Sequence, residues 1–253
     1  MQGIIFDFDD TLVEATVFFD RAKEKFARRM AELGFPAEEA LVVLNRFDIR
    51  NVVKAGGFLP DCFPRALAET YEHYCATHNS PVCRLTREWM EDLGWQVFKE
   101  PVEVIDGAHE VLEMLAERFP LFLATKGEPE MQVARLEESG LGQYFEQVYV
   151  MPDKTPAEYR MITGENGLSP GRSWIVGNSM KGDINPGILS GFNCIYVHHH
   201  HTWDFEDEPA VSDHYSVEDI REVPKIILPA SNKYLGRISG KEDKKGGLLK
   251  YNK

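Results

Sequence analysis

The 253 residues carry 41 Asp and Glu against 28 Lys and Arg, a formal net charge of -13, with 43% hydrophobic and 27% charged residues. That length holds one large domain or a core plus a smaller module, and the balance excludes general disorder. From Ser231 onward seven basic and two acidic residues give +5, leaving a body at -18 that repels nucleic acid and anionic membrane but not every small anionic substrate.

The chain opens on Met1-Gln2-Gly3, with no basic leader and no apolar run of signal or membrane length, and Gly3 stands one place late for myristoylation. A cytoplasmic location is expected. Cys62, Cys75, Cys83 and Cys194 are too few and too scattered for a disulfide scaffold and form no C-x-x-C, so they read as thiols, with a disulfide between cap cysteines as the alternative.

Ile4-Ile5-Phe6 reads as a short buried strand running straight into Asp7-Phe8-Asp9-Asp10-Thr11. Four helical patterns follow: Phe18 to Leu33, Pro36 to about Val53, Asp61 to His78, and Thr86 to Phe98. No strand pattern interrupts them, which argues for a helical module inserted after the first strand. Strand and helix then alternate. A helix is expected over Asp106 to Arg118, a strand over Leu121 to Thr125, a helix over Glu130 to Ser139, and a strand over Gln147 to Val150. Thr155-Pro156-Ala157-Glu158 combines a capping box with Pro at the first helical position, so a helix starts there. Strands over Ser173 to Val176 and Cys194 to Val197 enclose a short helix over Asp183 to Leu189, and a last helix covers Asp219 to Ile227. This is the pattern of an α/β fold, a Rossmann-like parallel sheet with helices on both faces. The glycine- and lysine-rich chain after Pro229 reads as a mobile, solvated tail, with binding of an acidic partner or polyanion as the alternative.

Four chemistry-bearing stretches end or follow predicted strands: Asp7 to Thr11, Leu123 to Gly127, Pro152 to Thr155, and Gly177 to Asp183. In an open parallel sheet they converge on one edge. Asp7 and Asp9, two apart, form a close carboxylate pair that favours a bound cation, and with Asp183 they offer hard oxygen ligands for Mg²⁺. Asp10 reads as a cap of the following helix.

Asp7-Phe8-Asp9-Asp10-Thr11-Leu12 resembles the first motif of the haloacid-dehalogenase-like superfamily of hydrolases, and Thr125, Lys154 and Asp183 follow in that family's order. The resemblance implies a catalytic core over 1–13 and 102–230, a helical cap over 14–101, and the tail over 231–253. It implies Asp7 as nucleophile, Asp9 as acid and base, and Thr125 and Lys154 as catalytic partners. Asp7, Thr125, Lys126 and Lys154 would meet the substrate phosphate. Mg²⁺ would be held by Asp7, Asp9, Asp183 and, more weakly, Asn178. Asn178 is a departure, since the family often has an acid there. Asp9 favours a leaving alkoxide, hence a phosphate monoester of a small metabolite, over displacement of halide. A phosphosugar mutase keeps both carboxylates and is the alternative, as is a non-catalytic protein that binds phosphate ligands. Oligomeric state is not readable, and a dimer through the cap is one option.

Within the cap, Arg46, Arg50, Lys54 and Arg65 are candidates for a second acidic group, and Phe47, Phe58, Trp89 and Trp95 for an apolar pocket. His198-His199-His200-His201 reads as a loop at the sheet edge, with contact to the acids of 204–208 as the sharper option. Ser179 lacks the second glycine of a G-x-S-x-G elbow, and no P-loop or dinucleotide triplet is present.

Overall fold

The structure, a computed structural model, describes residues 1–238. In chain order it contains β1 (Ile4–Phe6), α1 (Thr16–Glu32), α2 (Ala37–Ala55), α3 (Cys62–Thr77), α4 (Arg84–Val97) and α5 (Ala108–Ala116). Then come β2 (Leu121–Lys126), α6 (Pro129–Ser139), β3 (Gln147–Met151), α7 (Pro156–Asn166), β4 (Trp174–Gly177) and α8 (Asn185–Leu189). β5 (Asn193–Val197), β6 (Tyr215–Val217) and α9 (Val223–Ile238) complete it. The six strands form one sheet in the order β3-β2-β1-β4-β5-β6, and every pairing is parallel.

Alternation along the strands builds two apolar layers. Ile4, Phe6, Leu121, Leu123 and Val176 face one side, against α5, α9 and Leu136 of α6. Ile5, Phe122, Ala124 and Ile175 face the other, against Tyr159 and Ile162 of α7. Helices thus cover both faces, the arrangement that leaves a parallel sheet's ligands at its carboxyl edge. β1 lies between β2 and β4, so the strand order switches sides beside Asp7.

The chain leaves the core through Asp10, a non-glycine residue in the left-handed region (φ 58°) whose N–H donates to the Val13 carbonyl (2.7 Å). Val13 pairs antiparallel with Val104, and Glu14 N–H donates to the Glu103 carbonyl (2.8 Å). Outgoing and returning chains therefore form a two-stranded neck, and α1 to α4 above it share a separate apolar core around Phe26, Met30, Leu67 and Met90. Gly94 of α4 lies so close to α3 that a Cβ there would meet Pro64 Cα at 2.4 Å. All four cysteines are free, and only Cys83 is exposed.

Two elements differ from the expectations. β6, three residues long, has no pattern of its own and exists because Tyr215 to Val217 extend the ladder of β5. The last helix runs through Pro229 to Ile238, where the sequence predicts an end at Ile227. Pro229 removes one hydrogen bond, yet Ser231 Oγ donates to the Ile227 carbonyl (2.9 Å) and accepts from Gln2 Nε2 (2.7 Å). The predicted tail thus begins as helix; its residues 239–253 lie outside the described residues. No helix among the described residues is long and apolar enough to cross a membrane.

Candidate active site

Each predicted site residue lies at the carboxyl end of a strand or in the segment that follows it, Asp183 in the turn Met180–Ile184 after β4. Asp7 follows β1, and its N–H donates to the Val176 carbonyl (2.9 Å), which holds it beside β4. Lys154, between β3 and α7, places Nζ 2.5 Å from Asp7 Oδ1 and 2.5 Å from Asp183 Oδ1. All three side chains are buried. Burial and the charge of Asp183 push Asp7 up to about 7, with Lys154 opposing. Burial works against the Lys154 ammonium, but the charges of Asp183 and Asp7 outweigh it and hold its pKa above the ordinary lysine value. Asp183 Oδ2 accepts the Ser179 N–H (3.1 Å), and Tyr159 OH donates to Oδ1 (3.3 Å). Both oxygens of Asp183 are thus engaged from the protein side.

A second group of oxygens meets on the other flank of Asp7. The Asn178 Oδ1 position is 3.1 Å from Asp7 Oδ2, 3.1 Å from the Asp9 carbonyl and 3.2 Å from Thr11 Oγ1. Thr11 Oγ1 also donates to Asp7 Oδ2 (3.0 Å). A carboxylate, a carbonyl and an amide oxygen so close repel unless something positive stands among them. Turning the amide over removes this repulsion, the two N–H groups of Nδ2 being shared among the Asp7, Asp9 and Thr11 oxygens. Asp7 Oδ2 and the Asp9 carbonyl, both close to Asn178, are hard oxygen donors of the kind that fit a small divalent ion.

Asp9 is partly exposed at the cavity. Arg135 Nη1 pairs with its Oδ1, and Gln132 Nε2 donates to its Oδ2 (2.7 Å). Gln132 also donates to Thr125 Oγ1 (2.9 Å), linking β2 to the loop after β1. Lys126 Nζ is paired with Glu206 (2.6 Å) and lies 4.3 Å from the ring centre of Phe58 in the cap. Burial disfavours the Glu206 carboxylate, yet Lys126 and Ser179 together hold its pKa below the ordinary value. A cavity of about 280 Å³ opens above these groups, floored by Asp7, Thr125 and Lys154 and roofed by Phe18, Phe58 and Phe63 of the cap.

The cap candidates divide. Phe58 lines the cavity; Phe47, Trp89 and Trp95 do not. Arg50 pairs with Glu69, and Arg65 with Asp61 (3.2 Å). None of Arg46, Arg50, Lys54 and Arg65 reaches the cavity lining. The histidine run does not meet the acids of 204–208: His198 lies near Glu218 (3.8 Å), and two others meet acids far upstream. His199 Nε2 lies 3.1 Å from Glu14 Oε2, and His201 Nδ1 lies 2.7 Å from Asp20 Oδ2 of α1. Trp203 Nε1 donates to Asn45 Oδ1 of α2 (2.7 Å). The segment thus straps the core to the cap. Asp10, Glu14 and His199 form a mixed carboxylate–imidazole cluster whose ligand atoms lie within 4.8 Å of one another. Asp10 Oδ1 already accepts the N–H groups of Ala15 and Thr16 (2.9 Å each), anchoring α1 as a cap.

Sequence reasoning missed Gln132, Arg135, Glu206 and Tyr159. Gln132 and Arg135 stand three apart on α6, so one helical face carries both, but a polar pair at that spacing is common on any solvated helix. Gly177 is a further constraint, because a Cβ there would lie 2.4 Å from Asp183 Cγ. Gly177→Ala is expected to cost about 1–3 kcal/mol through overpacking against a side chain that cannot move. Thermal melting should show a Tm drop of roughly 3–10 °C; an unchanged Tm would mean that Asp183 has room to yield.

Comparison with known proteins agrees with this architecture. The family model for haloacid dehalogenase-like hydrolases matches residues 1–191. A pyrimidine 5'-nucleotidase of Streptococcus pneumoniae is 30% identical over 125 residues, 47% of this chain and 53% of that protein, so the match spans about half of the relative. A phosphoserine phosphatase of Thermus thermophilus is 25% identical over 88% of this chain and 98% of its own length. A crystal structure of a haloacid dehalogenase-like family hydrolase from Xanthomonas campestris superposes with TM-score 0.75 at 23% identity, covering 94% of this chain and 98% of that one. A parallel core with a helical insertion after its first strand, and a family match over three quarters of the length, place this chain in the haloacid dehalogenase-like hydrolases.

Proposed function

We propose that the protein is a Mg²⁺-dependent phosphatase that hydrolyses a small phosphate monoester through a phospho-aspartyl intermediate on Asp7. The observation that carries this reading is Lys154 Nζ bridging Asp7 and Asp183 while Asp9 stands at the same cavity edge. A phosphoserine phosphatase and a nucleotidase among the relatives lend it support.

Asp7 attacks phosphorus, and the bond from phosphorus to the alcohol oxygen breaks. Asp9, once released from Arg135 and protonated from solvent through the cavity, gives that proton to the oxygen as it leaves, then takes one from the water that attacks the phospho-aspartate. This second step restores the Asp7 carboxylate and releases phosphate. Lys154 keeps positive charge against Asp7 throughout and offsets the repulsion between a carboxylate and an incoming dianion. Thr125 Oγ1, now held by Gln132, is placed to donate to a phosphoryl oxygen. Turning Asp9 toward the leaving oxygen breaks its pair with Arg135, so α6 helps to set the resting position of the acid. Asp7 Oδ2, the Asp9 carbonyl and Asn178 would hold Mg²⁺, with Asp183 behind them. Bound there, the ion supplies charge that the acidic site lacks and orients the phosphoryl group.

The test is a panel of small phosphate esters with Mg²⁺, in which both free phosphate and rearranged phosphate esters are measured. Stoichiometric free phosphate is expected from at least one ester. An isomerised ester with little free phosphate would instead identify a mutase, and binding without either product a non-catalytic phosphate-binding role.

A further inference from the structure

Asp48 is a buried acid that the chemistry above does not use. It lies on α2, in the cap, is 9% exposed, and opens onto the same cavity as Asp7. Its cavity neighbours in the cap include Val52, Phe19 and Phe63, which bring no donor side chain. Four cations line the cavity, and each is hydrogen-bonded to some other carboxylate. Lys154 holds Asp7 and Asp183, Lys126 holds Glu206, Arg135 holds Asp9, and Lys23 holds Asp20 (3.1 Å). Among the described residues no side chain or N–H donates to the Asp48 carboxylate. The carboxylate faces the cavity and not a protein partner, so a donor or cation that enters the cavity can reach it. Burial pushes Asp48 up to about 7, and the charge of Lys23 nearby offsets this only in part.

We propose that Asp48 is the cap's recognition group for the leaving alcohol, and that this alcohol carries an amine whose ammonium pairs with the Asp48 carboxylate. The inference rests on the phosphatase reading for the position of the phosphate, since phosphate at Asp7 leaves the rest of the ester in the cavity beneath the cap. Its chemistry selects among esters. A second carboxylate or phosphate on the alcohol meets a like charge at Asp48, a plain alkyl chain leaves the acid without a partner, and an ammonium satisfies it. Phe19 and Phe63, which line the same cavity, offer an apolar wall to an aliphatic stem between phosphate and amine.

The experiment compares a series of ω-aminoalkyl phosphates of increasing length, each against the alkyl phosphate of equal length. Phosphate release with Mg²⁺ is measured for the native chain, Asp48→Asn and Asp48→Ala. At the best length the amine-to-alkyl ratio of kcat/KM is expected to reach about tenfold or more in the native chain. It should fall to about one in both variants as the ion pair is lost. A native ratio near one at every length, or a ratio that survives Asp48→Asn, overturns the assignment. If no ester of either series releases phosphate, the amine site is decided by binding, and the phosphatase reading by the wider ester panel. Calorimetric binding of the same compounds to native and Asp48→Asn protein then decides the amine site. Preference for the amine that is lost with Asp48→Asn upholds it, and equal binding of both series ends it.

Discussion

Asp7→Asn is expected to lower phosphate release by about 10³-fold or more, the scale on which loss of a covalent nucleophile registers. The substitution keeps the volume and one acceptor oxygen, so Thr11 and the neighbouring backbone retain their contacts. Lys154 keeps Asp183 as a partner at 2.5 Å. The fold should therefore survive, and near-UV circular dichroism should match the native chain. What is lost is an oxygen able to attack phosphorus. Acid-quenched native enzyme should carry phosphate on the protein during turnover, and the Asn variant should carry none. A rate undiminished in the variant, or label retained on it, would sink the covalent mechanism.

Lys154→Met should damage both activity and stability, unlike Asp7→Asn. The ammonium touches one oxygen of each buried carboxylate, at 2.5 Å and 2.5 Å. Those oxygens are therefore no more than about 5 Å apart, close enough for strong repulsion once the cation is gone. Breaking a buried pair in this way costs about 3–5 kcal/mol, because the remaining charges are left uncompensated. In a chain of this length that is a Tm drop of roughly 10 °C or more. Phosphate release should fall by about 10²-fold or more in protein that is still folded at the assay temperature, since nothing offsets the approach of a dianion to Asp7. Asp183→Asn in the same background should recover part of the stability and none of the activity. A Tm unchanged by Lys154→Met would show that the ammonium does not hold these carboxylates together.

The stretches that carry chemistry were legible because local rules expose them. A buried strand needs a β-branched or aromatic run, and Ile4-Ile5-Phe6 stops abruptly at Asp7. The turn that must follow has to hold polar groups at the sheet edge, and the same logic places Thr125 after Leu121 to Ala124 and Lys154 just ahead of a capped helix. Pro229 misled for the opposite reason. A proline argues locally against helix, while the Ser231 contact with Gln2 spans the length of the chain and has no local signature. β6 escaped because three residues carry no period; only pairing with β5 makes them a strand.

The same division runs through the site. Composition, hydrophobic period and turn chemistry were enough to determine a parallel α/β core, a helical insertion after the first strand, and acids and a lysine gathered along one sheet edge. Those are properties of neighbours within a few residues of one another. Which charge answers which was decided only by the fold. Arg135 meets Asp9, Glu206 meets Lys126, His201 meets Asp20, and Asp48 faces the cavity without a donor. The pairs join groups 80 to 181 positions apart. Charge at the surface is nearly indifferent to its partner, so sequence records no preference. Once helices close over a cavity and remove water, the same charges must be matched or neutralised.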